Sequence, residues 1–386
     1  QVQAGIVCLQ EVAPDSFVED FAFMQDLGYD ECEMFKKGRF RPATFWKSAE
    51  YELVAPPVHK DRTLLTAFRP KHDGTDDGNA RNWYVLNCHL QAGPEAPRRV
   101  RQINEGMRAV LTLARKLKEK EPEKNIPVIV CGDFNGGQEC GAVQYLEEGF
   151  VDENFIEDGK PVSSGKKALP LAQPLTDVMS VPDHRPPPPT LVVAELISIL
   201  VDQSNDAATT AYQDPELAPE ILERLSHIFH RLSTATNDTG DAVMTTANVK
   251  EWLTIINGQV GRGSEFRAAA KLMTTSSKED DTTIATKDEE TERIELPEDG
   301  TLSLEAFQNV YWQELRQGKF WGIAHDLAVL GEVLPNVGNF EGRYDRLYCS
   351  AAVAPMAVMD FVSKDPCPNP LEPSDHLPIA AAFQIA

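Results

Sequence analysis

The chain has 386 residues, of which 42% are hydrophobic and 25% charged, and its formal net charge is −23. This composition is typical of a globular protein and excludes a collagen-like, wholly disordered or multi-spanning membrane protein. The excess of acidic residues, 60 against 37 basic ones, excludes a broadly basic nucleic-acid coat. Seven scattered cysteines, three of them in apolar runs, predict a reducing, intracellular and cytoplasmic environment without disulfides.

The beginning and the end of the chain predict strands that alternate with helices. Short apolar or aromatic runs predict strands at 5–9, 43–46, 64–68, 83–90, 127–131, 344–349 and 379–385. A helix is predicted over 97–120, where apolar residues recur at helical spacing. These elements indicate an α/β catalytic domain formed by residues 1–185 and 341–386.

Residues 190–340 are predicted to form a helical insertion in that domain. Acidic residues outnumber basic ones 25 to 11 over 191–340. The apolar run 191–201 contains Glu195 and is too short to span a bilayer, so we expect a core helix there and no membrane span. Further helices are predicted from Asp214-Pro215 onward, over 248–256 and over 303–330.

Four short motifs place a polar or ionisable side chain where an apolar run ends. They are Leu9-Gln10-Glu11, Asn87-Cys88-His89-Leu90, Gly132-Asp133-Phe134-Asn135 and Ser374-Asp375-His376. In α/β sheets such strand ends form sites, carboxylates suit a hard divalent cation, and histidines can donate to a phosphate. The set favours metal-assisted attack of water on phosphorus. Each motif alone is more often a turn or a solvated strand end, so the prediction depends on their joint occurrence.

With Tyr344-Asp345-Arg346-Leu347-Tyr348 as the fourth of five motifs in chain order, the sequence resembles the endonuclease/exonuclease/phosphatase superfamily. The resemblance covers about residues 1–180 and 341–386. It implies an α/β fold, a two-layer β-sandwich flanked by helices, interrupted by an inserted all-α subdomain. The family has an earlier strand that ends in an active-site Asn, so we expect this first strand to be missing here.

The resemblance also implies a Mg²⁺ or Mn²⁺ cofactor and a division of roles. Glu11 would be the principal metal ligand, and Asp375 would complete the metal site. Asp133 would orient or deprotonate the attacking water. The remaining roles fall to residues near the phosphate: Asn135 and His89 would contact it, and Asp345 would orient His376, which stabilises transition-state charge.

Two branches of the superfamily fit the motifs. The Ser-Asp-His ending resembles the nocturnin and deadenylase branch, whereas the run around Arg343 and Arg346 resembles tyrosyl-DNA phosphodiesterase. These arginines could hold a substrate phosphate or simply form a solvated strand end. We expect a phosphodiesterase or nuclease acting on nucleic acid or nucleotides. The alternatives are an inositol-phosphate or phospholipid phosphatase of the same fold and a non-catalytic Ca²⁺-responsive binding protein.

The insertion resembles a degenerate EF-hand pair, and some plant and algal calcium-binding proteins of this superfamily have a similar architecture. Loop positions 1, 3 and 5 are occupied by Asn237, Thr239 and Asp241 in the first loop and by Glu295, Pro297 and Asp299 in the second. Position 12 is Asn248 or Ala306 instead of the bidentate Glu. We therefore expect weak or no Ca²⁺ binding. The sequence does not identify a partner protein for the insertion.

Overall fold

The computed structural model describes residues 3–38, 41–71, 81–122, 125–137, 139–157, 159–162, 171–180, 187–202, 215–261, 263–275, 295–335, 338–359, 366–367, 372 and 374–385. The chain divides into two units: Gln1–Val193 with Asn339–Ala386, and Ala194–Gly338. The predicted domain borders at 185, 190 and 341 stay a proposal, and residue 185 lies outside the described ranges. None of the helices in these ranges is long and apolar enough to cross a bilayer.

The first unit is built on a seven-stranded sheet. Its strands are β4 (Tyr51–Leu53), β5 (Val58–Lys60), β6 (Thr63–Pro70), β7 (Trp83–His89), β8 (Val128–Asp133), β11 (Thr176–Asp177) and β18 (Asp345–Cys349). Their order is β11-β18-β8-β7-β6-β4, with β5 also paired to β6. The pair β7–β8 is parallel, whereas the pairs on either side of it are antiparallel.

Helix α3 (Ala96–Lys116) supplies the crossover that the parallel pair β7–β8 requires. Its apolar face packs on the main sheet, where Ile103 and Val110 share a core with Leu86. The predicted helix continued to 120, but the observed one ends at Lys116. Lys118 has a left-handed backbone, with φ 61°, which ends a helix.

A three-stranded sheet forms the second layer. It consists of β1 (Ile6–Val12), β2 (Glu31–Met34) and β3 (Arg41–Trp46) in the order β1-β3-β2. Cys8 and Trp46 of this sheet pack with Phe68 and Val85 of the main sheet. The predicted α/β class and two-layer sandwich with helices are thereby confirmed.

Shorter elements complete the first unit. They are α1 (Phe17–Asp20), α2 (Phe23–Asp26), α4 (Gly141–Glu148) and the strand pairs β9 (Ile156–Glu157) with β10 (Lys160–Pro161), β12 (Leu191–Ala194) with β17 (Asn339–Gly342), and β19 (Val353–Val358) with β20 (Ala381–Ile385). The strand predicted at 5–9 continues to Val12 and shifts register between Leu9 and Val12. Glu11 therefore lies in a bulge, which redirects side chains.

The second unit is mainly helical around one core. Its elements are α5 (Ile197–Leu200), α6 (Pro219–Leu232), β13 (Ala235–Thr236), β14 (Ala242–Thr245), α7 (Thr246–Asn257), α8 (Gly263–Leu272), β15 (Thr274–Thr275), β16 (Gly300–Leu302), α9 (Leu304–Arg316) and α10 (Phe320–Val329). Trp252 and Phe307 are fully buried and meet edge to face at 5.0 Å. This contact joins α7 to α9.

Three helix predictions for the insertion were wrong in detail. Residues 191–194 form strand β12, because Val192 and Val193 are β-branched and pair with a distant strand. The helix expected from Asp214-Pro215 begins at Pro219, and residue 214 is not described. The helix expected over 303–330 is two helices, separated where Gly318 adopts φ 73°.

The two candidate EF-hand loops are joined by a short ladder. Met244 and Leu302, the residues at loop position 8, pair between β14 and β16. Asn248, at position 12 of the first loop, closes a capping box with Thr245 and also accepts a hydrogen bond from Thr234 at 2.9 Å. This side chain therefore serves the start of a helix, and the EF-hand interpretation stays a prediction.

We expect Ca²⁺ to leave the stability of the second unit nearly unchanged. Asn237 Oδ1 already accepts from the backbone N–H of Thr239, and Asp241 Oδ2 accepts from its hydroxyl, within the first loop. Weak or absent binding at millimolar Ca²⁺ contributes less than about 0.5 kcal/mol. Thermal unfolding of the full chain with Ca²⁺ or EDTA, compared with Asp241→Ala, tests this. A Ca²⁺-dependent stabilisation that disappears in the variant would contradict it.

A buried carboxyl in the second unit predicts a pH-dependent stability. Burial raises the pKa of Asp326 to about 7, partly opposed by a hydrogen bond with His325 and reinforced by the charge of Glu265. As pH rises above about 4 the unfolded state ionises first, so folding loses stability until about pH 7. Asp326→Asn should remove this loss.

The free energy of unfolding of Asp326→Asn, relative to that of the wild type, is expected to increase by about 2 kcal/mol between about pH 5 and pH 8. Urea unfolding at both pH values measures it. Asp299→Asn, the same change at an exposed position, is the control and should show little dependence. An equal effect of Asp326→Asn at both pH values would refute the assignment of the neutral form.

Candidate active site

Three predicted site residues lie side by side at one edge of the main sheet. β7 ends at His89 and β8 at Asp133, and the two residues are direct partners in the parallel ladder. On the other side of β8, Asp345 is the antiparallel partner of Asp133. All three side chains are buried. The strand topology thus joins residues that are far apart in the sequence.

Asp345 is hydrogen-bonded to His376, with 2.7 Å between Oδ2 and Nδ1. Burial by itself lowers the pKa of His376, but the hydrogen bond and charge of Asp345, with the charges of Asp133 and Asp375, raise it to about 9. His376 is therefore an imidazolium at neutral pH. Because Nδ1 is engaged by Asp345, the Nε2 proton is the one that can be donated to a bound group.

Asn135 holds the carboxylate of Asp133 in place. Its backbone N–H donates to Oδ1 at 2.7 Å, and its side-chain Nδ2 donates to Oδ2 at 2.6 Å and to the Leu90 carbonyl at 3.0 Å. This arrangement requires a left-handed backbone at Asn135, with φ 47°. Burial and the charge of Asp345 raise the pKa of Asp133 to about 7. A carboxyl with such a pKa can act as a general base near neutral pH.

His89 lies between two carboxylates. Its Nε2 is 3.5 Å from Glu11 Oε1 and 3.6 Å from Asp133 Oδ2. Burial lowers the pKa of His89 to about 4, so its ring is neutral at pH 7. Partial desolvation and the charge of Asp375 raise the pKa of Glu11. Glu11 has φ 56°, so the bulge in β1 turns its carboxylate towards this site at the cost of local strain.

Two sets of side chains here offer ligand atoms for a divalent cation. Ligand atoms of Asp133, Asp345 and His376 all lie within 4.8 Å of one another, but a protonated His376 cannot ligate a metal. Glu11 and Asp375 are exposed carboxylates within electrostatic reach of each other. Such oxygen donors fit Mg²⁺ or Mn²⁺. Their assignment as the metal ligands stays a prediction.

The two arginines predicted to contact a phosphate are held by other groups. Arg343 binds Asp177 through both terminal nitrogens, with Nη2 to Oδ1 at 2.7 Å. Arg346 is buried and donates to the carbonyls of Gly137 and Arg343 at 3.1 and 2.9 Å. These contacts weigh against a phosphate role, which stays a prediction without support in the geometry.

Asn87 ties the two sheets together behind the site. Its Nδ2 donates to the carbonyls of Leu9 and Ala43 at 3.2 and 2.9 Å, and its Oδ1 accepts from Gln10 at 2.8 Å. These bonds fix the end of β1 next to Glu11. In the sequence Asn87 stands out only as part of a motif, although a polar residue inside an apolar strand signals a buried hydrogen-bonding role.

Thr190 is a positioning residue that lies outside the sequence motifs. Its hydroxyl accepts from the backbone N–H groups of Tyr344 and Asp345 at 3.0 and 2.9 Å, and its carbonyl accepts from the N–H of Leu377 at 2.7 Å. It therefore brings the start of β18 and the segment after His376 together. A threonine that follows a run of prolines carries no local signal for this role.

The sequence was compared with known proteins. No family model matches it. It is 26% identical over 201 residues to the CCR4-Not complex 3'-5'-exoribonuclease subunit Ccr4 of Schizosaccharomyces pombe, covering 39% of this chain and 29% of that protein. It is 26% identical over 197 residues to protein angel homolog 2 of Danio rerio, covering 46% and 32%. The chain thus spans about three tenths of the length of these relatives.

Solved structures were compared as well. The crystal structure of ANGEL2, a 2',3'-cyclic phosphatase, in complex with adenosine-2',3'-vanadate has a TM-score of 0.46 and 15% identity, and covers 99% of this chain and 82% of that one. The human Nocturnin catalytic domain with bound sulfate has a TM-score of 0.34 and 21% identity, and covers 49% and 66%. The two curated relatives confirm the predicted resemblance to the endonuclease/exonuclease/phosphatase superfamily.

Proposed function

We propose that the chain is a divalent-metal-dependent hydrolase of phosphate esters, a phosphodiesterase or nuclease that acts on nucleic acid or nucleotides. The observation that carries this proposal is the meeting of a cationic His376, a restrained Asp133 and the carboxylate of Glu11 at one sheet edge. Anion-stabilising and proton-accepting groups are thus placed beside a candidate cation site.

The metal would supply Lewis acidity: when bound by Glu11 and Asp375, Mg²⁺ or Mn²⁺ would polarise a phosphoryl oxygen. The protein residues then have separate tasks. Asp133, held by Asn135, accepts a proton from the attacking water. His376, kept cationic by Asp345, donates to the oxygen on which charge develops.

The remaining two polar groups have different tasks, one towards the ester and one towards Asp133. His89 is neutral, so its Nε2–H donates to a substrate oxygen without adding net charge. Asn135 is committed to Asp133 by two hydrogen bonds, which supports a positioning role for it more than the direct phosphate contact that the resemblance implies. Both assignments are part of the proposal.

The substrate class is supported by the curated relative that is named an exoribonuclease subunit. Incubating the full chain with RNA and DNA oligonucleotides, nucleotides, inositol phosphates and a phospholipid, each with Mg²⁺ or EDTA, tests it. We expect EDTA-sensitive release from the nucleic-acid or nucleotide members. Turnover confined to inositol phosphates or phospholipid would replace this substrate class with the phosphatase alternative, and no turnover at all would favour a binding protein. The cytoplasmic location stays a prediction.

A further inference from the structure

Arg62 is a cation beside the site that neither the motifs nor the proposed mechanism uses. With Asp61 it forms the two-residue turn between β5 and β6, since Lys60 pairs with Thr63. The backbone N–H of His89 donates to the carbonyl of Arg62 at 3.1 Å. This bond fixes the turn at the sheet edge where β7 ends.

The backbone of Arg62 is strained. Its φ is 56°, in the left-handed region, where a turn normally has glycine or asparagine. Of the five non-glycine residues with positive φ in the described ranges, Glu11 and Asn135 also belong to the site. Backbone strain is concentrated at functional sites. There the surrounding contacts hold a residue in a conformation that it would otherwise avoid. Three of the five left-handed residues therefore lie at or beside the site, which makes the Arg62 side chain a candidate for a role there.

Within the described ranges, the guanidinium of Arg62 has no ion-pair partner. Along the part of the chain that the structure describes, its side chain makes no hydrogen bond or ion pair. The neighbouring Asp61 instead pairs with Arg98 and Arg101 of α3, at 3.7 and 3.3 Å. Asp61 thus anchors the turn to α3, while the N–H donors of the partly buried Arg62 have no partner in the described ranges.

Arg62 is within electrostatic reach of the predicted reacting groups. Desolvation raises the pKa of Glu11, and the charge of Arg62 opposes that rise. Burial lowers the pKa of His89, and the charge of Arg62 lowers it further. The charge of Arg62 therefore acts on both Glu11 and His89, and the backbone bond to His89 keeps the turn at this part of the site.

We propose that Arg62 is a substrate-binding residue whose guanidinium donates to a phosphate oxygen of a phosphodiester held beside Glu11 and His89. The proposal rests on the proposed function and extends it to a residue outside the five motifs. A planar guanidinium can hold two phosphate oxygens at once, whereas an ammonium acts as a point charge. Arg62→Lys is therefore expected to retain only part of the effect.

Arg62→Asn separates this role from a structural one. Asparagine tolerates the left-handed backbone better than arginine, so the melting temperature should stay or rise. The kcat/KM for an adenine ribodinucleotide should fall by about tenfold to a hundredfold, because one charge-assisted hydrogen bond to the substrate is lost. A merely structural Arg62 would leave kcat/KM unchanged.

Lys118→Asn is the matched control. Lys118 is exposed and has φ 61°, so the substitution removes the same charge and relieves the same strain. Lys118 lies just after the C-terminus of α3. The length of this helix, about 30 Å, separates it from the first turns of α3, which pair with Asp61. This variant should keep wild-type kcat/KM.

A binding measurement separates failure of this inference from failure of the proposed function. Calorimetry with Mg²⁺ and a phosphorothioate-linked adenine dinucleotide should show about tenfold weaker binding in Arg62→Asn than in the wild type and Lys118→Asn. Wild-type turnover with equal activity and binding in Arg62→Asn would overturn the inference alone. No turnover in any variant, with binding that still depends on Arg62, would overturn only the proposed hydrolysis. A wild type that does not bind the probe would overturn the inference.

Discussion

Glu11→Gln is expected to reduce Mg²⁺-dependent turnover by at least about a hundredfold while the chain stays folded. The glutamine has nearly the same shape, so the bulge in β1 and the bonds of Asn87 to β1 are kept. A neutral amide is a poor ligand for a hard cation, so binding of Mg²⁺ weakens. Initial rates over a range of Mg²⁺ concentrations measure the loss.

The control for this variant is Glu52→Gln, the same change at an exposed position in β4 of the main sheet. It should leave rate and Mg²⁺ dependence unchanged. Part of the loss in Glu11→Gln should return at high Mg²⁺. Wild-type turnover at limiting Mg²⁺ would remove Glu11 from the metal site.

Gly132→Ala is expected to unfold the first unit or destabilise it by more than about 4 kcal/mol. A Cβ at Gly132 would lie 2.0 Å from the carbonyl oxygen of Cys88, and the residue has φ 128°. That carbonyl belongs to the neighbouring backbone and cannot swing away. The parallel ladder that places His89 opposite Asp133 would have to separate.

Urea unfolding of Gly132→Ala measures this effect. Gly137→Ala, a few residues further on, is the control: a Cβ there meets nothing within 4 Å, so stability should change by less than about 1 kcal/mol. A Gly132→Ala chain as stable as the wild type would show that the β7–β8 contact is looser than the structure has it.

The parts of the site that lie at strand ends were predictable from the sequence. His89 and Asp133 each follow an apolar run, and parallel neighbours necessarily end at the same sheet edge. The inclusion of Asp345 in the site came from the family resemblance. Its pairing with Asp133 was not predicted, because no local pattern indicates which strand adds on the far side of β8. The predicted site residues themselves remain untested by the comparisons.

Other features depend on contacts between distant segments. The run 191–194 is a strand because it pairs with Asn339–Gly342 across the whole insertion, a partner that no local apolar pattern indicates. Thr190 and Arg62 carry no motif: one acts through its hydroxyl and carbonyl, and the other is recognisable only from its backbone angle and its lack of an ion pair in the described ranges. Sequence periodicity reports burial, not such geometry.

Hydrolysis of bis-p-nitrophenyl phosphate by the full chain tests the phosphoesterase assignment most directly. We expect p-nitrophenolate release with Mg²⁺ or Mn²⁺, no release with EDTA, and recovery when the metal is added back. Asp133→Asn should abolish the release without unfolding the chain, because the amide cannot accept the proton of the attacking water. Release that persists in EDTA or in folded Asp133→Asn, or no release by the folded wild type with either metal, would contradict it.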